Sequence, residues 1–149
     1  MKINACPEAK QVAKLFFPTS TAFLRLLHGA FVVPSGLTSQ QMKIIMEIHI
    51  AGKLRLSDLS RCAGVTHGTM TVAVQKLLKK GLVVKTKDLV DERAISLALT
   101  PAGKKTVRLI EKGMEEFFHS ICEGIAGTQR KKLLECYRFL LATYSQLGE

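Results

Sequence analysis

Apolar residues recur along this chain first at the helical spacing of three and four, then briefly at every second position, then at helical spacing again. From Glu8 to Val33 the text is apolar and helix-compatible, but it holds Pro18. Proline lacks a backbone donor and disfavours helix in the residue before it. The pattern therefore predicts a short helix ending near Phe17, then a second with Thr19 or Ser20 as N-cap and Phe23, Leu26, Leu27 and Ala30 on one face. Pro34-Ser35-Gly36 closes that stretch. Thr38 opens the next helix, and Gln41 three residues on completes a capping box. Met42, Ile45, Met46 and His49 follow at helical spacing, up to Ala51-Gly52. A two-turn helix over 56–63 stops at Gly64, and another starts with Thr66 as its N-cap. Its inward stripe is Met70, Ala73, Val74, Leu77 and Leu78. Lys79-Lys80-Gly81 ends it with cations at the negative end of the dipole and a glycine just past it.

The alternation of period two marks strands over 82–86 and 94–99, the second with Ile95, Leu97 and Leu99 on one face. The polar stretch 87–93 between them predicts a hairpin with a long tip. Thr100-Pro101 is an N-cap followed by proline at the first helical position, and the helix it starts runs to about Glu123 with Val107, Ile110, Met114, Phe117, Phe118 and Ile121 apolar. Gly124 and Gly127 break it, and Thr128 caps a last helix bearing Leu133, Leu134, Tyr137, Leu140, Leu141 and Tyr144.

These elements predict a mainly α fold with a small β-hairpin wing. A winged helix-turn-helix spans residues 37–100, with dimerisation helices at 1–36 and 101–149. The terminal helices are the most apolar parts of a chain that is 47% hydrophobic. On a lone monomer they would expose a large apolar patch, which a second copy would cover.

Charge narrows the partner. A formal net charge of +10 on 149 residues favours a polyanion, either nucleic acid or an anionic membrane surface. No apolar run approaches a membrane span, and the first residues carry no signal-peptide core, so a cytoplasmic product is expected with its cysteines reduced.

The helix after Gly64 is the candidate reader. Thr66, His67, Gly68, Thr69, Thr71, Val72, Gln75 and Lys76 avoid its inward stripe. Thr and Gln bond to base edges, valine packs on a thymine methyl, and lysine reaches phosphate or guanine. Leu59, Val65 and Leu77 would fix the angle between this helix and its support. Seen alone, these positions also fit an ordinary polar helix face. The hairpin supplies the second element, with Lys85, Lys87 and Arg93 as cations and Asp91 placed to pair with an arginine. A double-stranded DNA partner follows.

At this point the text resembles the MarR family of regulators, from about Leu37 to Gly103. The matching pieces are Leu37-Thr38 with Gln41, Asp58-Leu59-Ser60, Lys80-Gly81-Leu82-Val83, Asp91-Glu92-Arg93 and Leu99-Thr100-Pro101-Ala102-Gly103. The resemblance implies a winged-helix homodimer on a pseudo-palindromic site, acting as a repressor and released by a small-molecule effector or an oxidant. It also implies recognition residues within Thr66 to Lys76, and Asp91 with Arg93 at the wing. Two positions depart from the family's habit: Val72, where an arginine or polar residue is common, and Pro18 within a helix that is usually long.

Other chemistry is sparse. Cys6, Cys62, Cys122 and Cys136 include no pair at zinc-ribbon spacing. Cys6 is expected to be exposed, and Cys62 and Cys136 are expected to be small core residues. His28, His49, His67 and His119 form no metal motif, and His67 is better placed for phosphate or base. Neither a phosphate loop nor a nucleophile elbow is present, so no catalytic residue, cofactor or metal is called for. The rival readings are a winged-helix protein-interaction module without DNA readout, and a thiol-based redox sensor or enzyme.

Overall fold

The computed structural model describes residues 7–30, 36–87 and 95–147. Along them run α1 (Pro7–Ala30), α2 (Ser39–Ala51), β1 (Lys53–Arg55), α3 (Leu56–Ala63), α4 (His67–Lys79), β2 (Val83–Lys87), β3 (Ile95–Leu99), α5 (Pro101–Glu123) and α6 (Gly127–Leu147). They form two compact units, Met1–Gly113 and Met114–Glu149. The expected class holds: mostly helix, with one small antiparallel sheet.

In the first unit, the expected break at Pro18 does not occur; α1 runs straight through it. Proline costs the helix one donor, which by the i→i−4 rule leaves the Lys14 carbonyl without its usual partner. Nearly every α1 side chain with a described environment is exposed, so that carbonyl keeps access to water and the helix survives. Ser20 is no cap either. Its hydroxyl donates back to the Phe16 carbonyl at 2.7 Å. Ser20, Phe23 and Leu27 make a half-buried edge, whereas Leu26, expected beside them, is 56% exposed.

The capping box at α2 is present in both halves. Thr38 Oγ1 accepts from the Gln41 amide at 3.2 Å, and Gln41 Oε1 accepts from the Thr38 amide at 3.1 Å. Gln41 is itself buried, followed on the inner face by Ile44, Ile45 and Ile48. His49, expected on that stripe, is instead exposed, with its Nε2 3.5 Å from Glu111 Oε1.

Two left-handed glycines bracket α4. Gly64 (φ +61°) ends α3 with the Val65 amide donating to Ser60, and Gly81 (φ +65°) ends α4 with the Leu82 amide donating to Leu77. Both are six-to-one closures, which need a residue without a Cβ penalty at positive φ. Between them α4 buries Met70, Ala73, Val74 and Leu77 against Leu59 of α3 and the isoleucines of α2. Full burial of the larger of these, Met70, Val74 and Leu77, is worth about 1.5–3 kcal/mol each, so this cluster fixes how α4 is presented.

Among the described residues the sheet has three strands, not two, in the order β1-β3-β2. β1 pairs antiparallel with β3 (Leu54 opposite Leu97), and β2 pairs on the other side (Lys85 opposite Leu97). Sequence periodicity missed β1 because three residues are too few to show alternation. On β3, Leu97 is buried and Leu99 half-buried, but Ile95, expected with them, is 56% exposed. Ile95 is the first residue of its strand, paired with Lys87 at the far end of the hairpin. The expected strand start at Leu82 shifts to Val83, because the Leu82 amide is already used by the helix closure.

Thr100 caps α5 as expected, accepting from the Gly103 amide at 3.0 Å while donating to the Gly81 carbonyl at 2.6 Å. Val107 and Ile110 join the core.

The second unit contains the end of α5 and α6. Phe117 is buried, and the rings of Phe118 and Tyr137 meet edge-on with centroids 5.5 Å apart. The expected cap at Thr128 is displaced. Helix bonds already run from Gln129 and Arg130 to the Ala126 carbonyl, and the Gln129 side chain accepts from the Ala126 amide at 3.0 Å. Gly127 accordingly starts α6 instead of breaking the chain before it.

Candidate DNA-reading surface

Opposite the buried stripe of α4 lies its free face. With about 100° between successive residues, Gly68, Val72, Gln75 and Lys79 share one outward strip, and all four are exposed. Lys79 was passed over in the sequence because it reads as a dipole partner at the helix end. Its spacing from Val72 and Gln75, seven and four residues, is the signal that places it on the strip.

The strip is flanked on both sides. Thr69 and Lys76 turn toward the first turn of α2, where they and Thr38, Gln40, Gln41 and Val72 line a groove of about 350 Å³. Thr71 and Gln75 turn toward the sheet, where they line a smaller cleft of about 120 Å³ with Lys85 and Ile95. Of the expected contact residues on α4, Thr66, His67, Gly68, Thr69, Val72, Gln75 and Lys76 are exposed. Thr71 is the exception. It is half-buried, and its hydroxyl is committed to the His67 carbonyl at 2.8 Å.

Thr66 caps the helix, accepting from the Thr69 amide at 3.3 Å, and its hydroxyl lies 2.9 Å from that of Thr69. The two threonines thus hold each other at the positive end of the dipole. Lys85 and Lys87 are exposed on β2 two residues apart, so they project on the same side of the sheet. Asp91 and Arg93 of the hairpin tip lie outside the described residues. At the other end of α4, the Lys80 ammonium donates to the Gly36 carbonyl, tying the helix end to the residue ahead of α2.

The cysteines are not core residues as expected. Cys62 and Cys136 are exposed and Cys122 is intermediate; Cys6 lies outside the described residues. Cys62 falls on the outer side of a helix of only eight residues whose buried position is Leu59. Among the described residues, no group of three or more His, Cys, Asp or Glu is placed to hold a metal ion. No described helix is long and apolar enough to cross a membrane.

A family model described as MarR family matches residues 35–94, which include α2 through β2. The HTH-type transcriptional regulator FarR of Neisseria gonorrhoeae is 32% identical over 101 residues, covering 68% of this chain and 68% of that protein. The chain belongs to the MarR family. Wild-type MarR from E. coli, 19% identical, shares the fold with a TM-score of 0.71 over 87% of this chain and 96% of its own. BpsR of Bordetella bronchiseptica, whose DNA binding is regulated by 6-hydroxynicotinic acid, is 20% identical and aligns with a TM-score of 0.62 over 87% of this chain and 98% of its own. MarR-family transcriptional regulators are non-enzymatic DNA-binding proteins, and this member is a transcriptional regulator, not an enzyme.

Proposed function

We propose that this MarR-family regulator is a cytoplasmic repressor that binds a pseudo-palindromic duplex site as a homodimer and lets go when a small-molecule effector or an oxidant acts on it. The observation that carries the reading is the outward strip of α4, free along its length and set beside the cationic strand β2. An α-helix fits the major groove and a cationic hairpin fits the adjacent minor groove. Thr69, Gln75 and Lys76 then supply hydrogen bonds to bases or phosphates, and Val72 packs on a thymine methyl. Thr66, His67 and the amides of Gly68's turn face phosphate at the positive end of the helix. Lys85, Lys87 and Arg93 neutralise backbone charge at the wing, with Asp91 holding the arginine extended.

The dimer is supported by apolar surface that the single chain leaves open. Phe17 of α1 is 74% exposed and Leu141 of α6 is 71% exposed, among several such residues on each helix. On this reading residues 37–100 bind DNA, while 1–36 and 101–149 join the two copies, so that two-fold symmetry matches two half-sites one helical turn apart.

Selection of bound genomic fragments, followed by salt titration against random duplex, tests the proposal. The expected result is a recurrent inverted repeat bound far more tightly than random sequence. Arg93→Ala should lower the salt slope by about 0.9 for the lost phosphate contact. Equal affinity for all duplexes would instead support the interaction-module reading, which the apolar Val72 at the centre of the strip makes concrete.

A further inference from the structure

Ile95 opens β3 with 56% of its surface exposed, whereas Leu97, two residues on and on the same face, is 2% exposed. The register puts Lys87 directly opposite Ile95 and Lys85 directly opposite Leu97. Directly opposed residues of an antiparallel pair project from one face, so both lysines share the side of the hairpin that carries the isoleucine. That side looks at α4. Ile95 and Lys85 line the cleft of about 120 Å³ whose other wall is Thr71 and Gln75, and Val74 and Leu97 are its buried floor. All of these residues belong to the first compact unit.

More than half of Ile95 stays in water, so burial within the chain accounts for little of its value at this position. The cleft is also too small for an enclosed ligand, whose pockets run to about 300–1,000 Å³. Its mouth instead suits a ridge laid across it. A helix seated in a major groove and a hairpin seated in the neighbouring minor groove have one strand of the duplex between them. That strand is a ridge of alternating phosphates and deoxyribose rings, and it must cross the gap between α4 and the hairpin. The gap offers matching chemistry: Lys85 and Lys87 for phosphate, and beside them one apolar side chain for sugar. The net charge of +10 on the chain favours the same polyanion.

We propose that Ile95 reads the sugar: it packs on C2′ of one deoxyribose in the strand that crosses between α4 and the hairpin, and so makes the protein reject ribose at that nucleotide. The inference rests on the DNA-binding reading above. C2′ of deoxyribose carries only hydrogens, and it lies against an isoleucine methyl without losing a hydrogen bond. Ribose presents a hydroxyl there, which is both donor and acceptor. Pressed on Ile95, that hydroxyl gives up its water and gains no partner. The flanking phosphates, held by Lys85 and Lys87, fix the register of the strand and keep the sugar against the side chain.

Fluorescence anisotropy of the full chain on a labelled duplex carrying the selected inverted repeat tests the contact. Single ribonucleotides replace deoxyribonucleotides one position at a time along each strand of a half-site. One position, or two neighbouring ones, at the boundary between the major-groove and minor-groove contacts should weaken binding about tenfold, as a hydroxyl buried without a partner does. Ribose elsewhere should have little effect. Ile95→Ser should weaken the all-deoxy duplex about fivefold through lost apolar contact and should erase the ribose penalty at that position alone. Ile95→Leu should keep the penalty. A folding defect lowers affinity for every duplex alike, so selective erasure marks direct contact. A half-site with no ribose-sensitive position, or a penalty of the same size in Ile95→Ser, overturns the sugar contact and leaves the DNA-binding reading standing. A chain that binds no duplex at any salt, or binds all duplexes alike, overturns the DNA-reading proposal and the sugar contact with it.

Discussion

Gly103 lies so close to Leu82 that a β-carbon built on it would meet the Leu82 carbonyl oxygen at 2.1 Å. The same carbonyl accepts the Thr100 amide at 3.1 Å, and the Thr100 hydroxyl donates to Gly81 next door. The start of α5 is thus seated directly on the turn that ends α4. The contact is with backbone, which cannot rotate aside as a side chain can.

Gly103→Ala should therefore destabilise the fold, although alanine is the better helix former by about 1 kcal/mol. The steric term wins, because overpacking against a fixed backbone costs about 1–3 kcal/mol. Thermal melting checks this, and a higher Tm in the variant would refute it.

Thr38→Ala removes one half of the capping box and leaves the buried Gln41 amide without its acceptor. The expected loss is about 1 kcal/mol. It should appear as a lower denaturation midpoint with unchanged slope, and as faster hydrogen exchange in the first turn of α2.

Gln75 and Lys79 lie one turn apart on the outward strip of α4 but should behave differently. Lys79→Ala is expected to weaken every duplex alike and to lower the salt slope by about 0.9, as loss of one phosphate contact does. Gln75→Ala should change site preference by about 1–3 kcal/mol at one base pair. Competition binding with single-base variants of the selected site separates the two; identical behaviour would mean that the strip does not read sequence.

Phe139 and Leu141 of α6 are 68% and 71% exposed on the single chain. If a second copy covers them, Phe139→Asp with Leu141→Asp should shift the dimer toward monomer in sedimentation at micromolar concentration. Duplex affinity should fall with it. An unchanged sedimentation profile would move the interface elsewhere.

The helix-turn-helix was legible because its signals are local. Thr38 with Gln41, Gly64, Thr66, Gly81 and Thr100-Pro101 each mark a helix end through bonds made within a few residues. What escaped the sequence depends on distant partners or on the absence of any. β1 has only three residues and exists because β3 offers it an edge. Pro18 breaks a helix by local rules, yet α1 absorbs it at a surface where one unpaired carbonyl is cheap. Periodicity places Leu26 and Ile95 inside, and Cys136 reads as a small core residue; their exposure follows from which face each element turns inward. The reading surface divides the same way. Its helix positions follow from periodicity, but the assignment of Thr69 and Lys76 to the α2 side and Thr71 and Gln75 to the sheet side needed the fold.

The small sheet has a mechanical consequence. β3 is bonded on both flanks, and β1 passes into α3 with no residue between Arg55 and Leu56. Twisting the base of the hairpin therefore pulls, through β1, on the start of the supporting helix. On the proposed reading, the reading helix and the hairpin act as the two jaws of a gauge. It measures the offset between a major groove and its neighbouring minor groove, and rejects a duplex whose local twist is wrong even where every base is right.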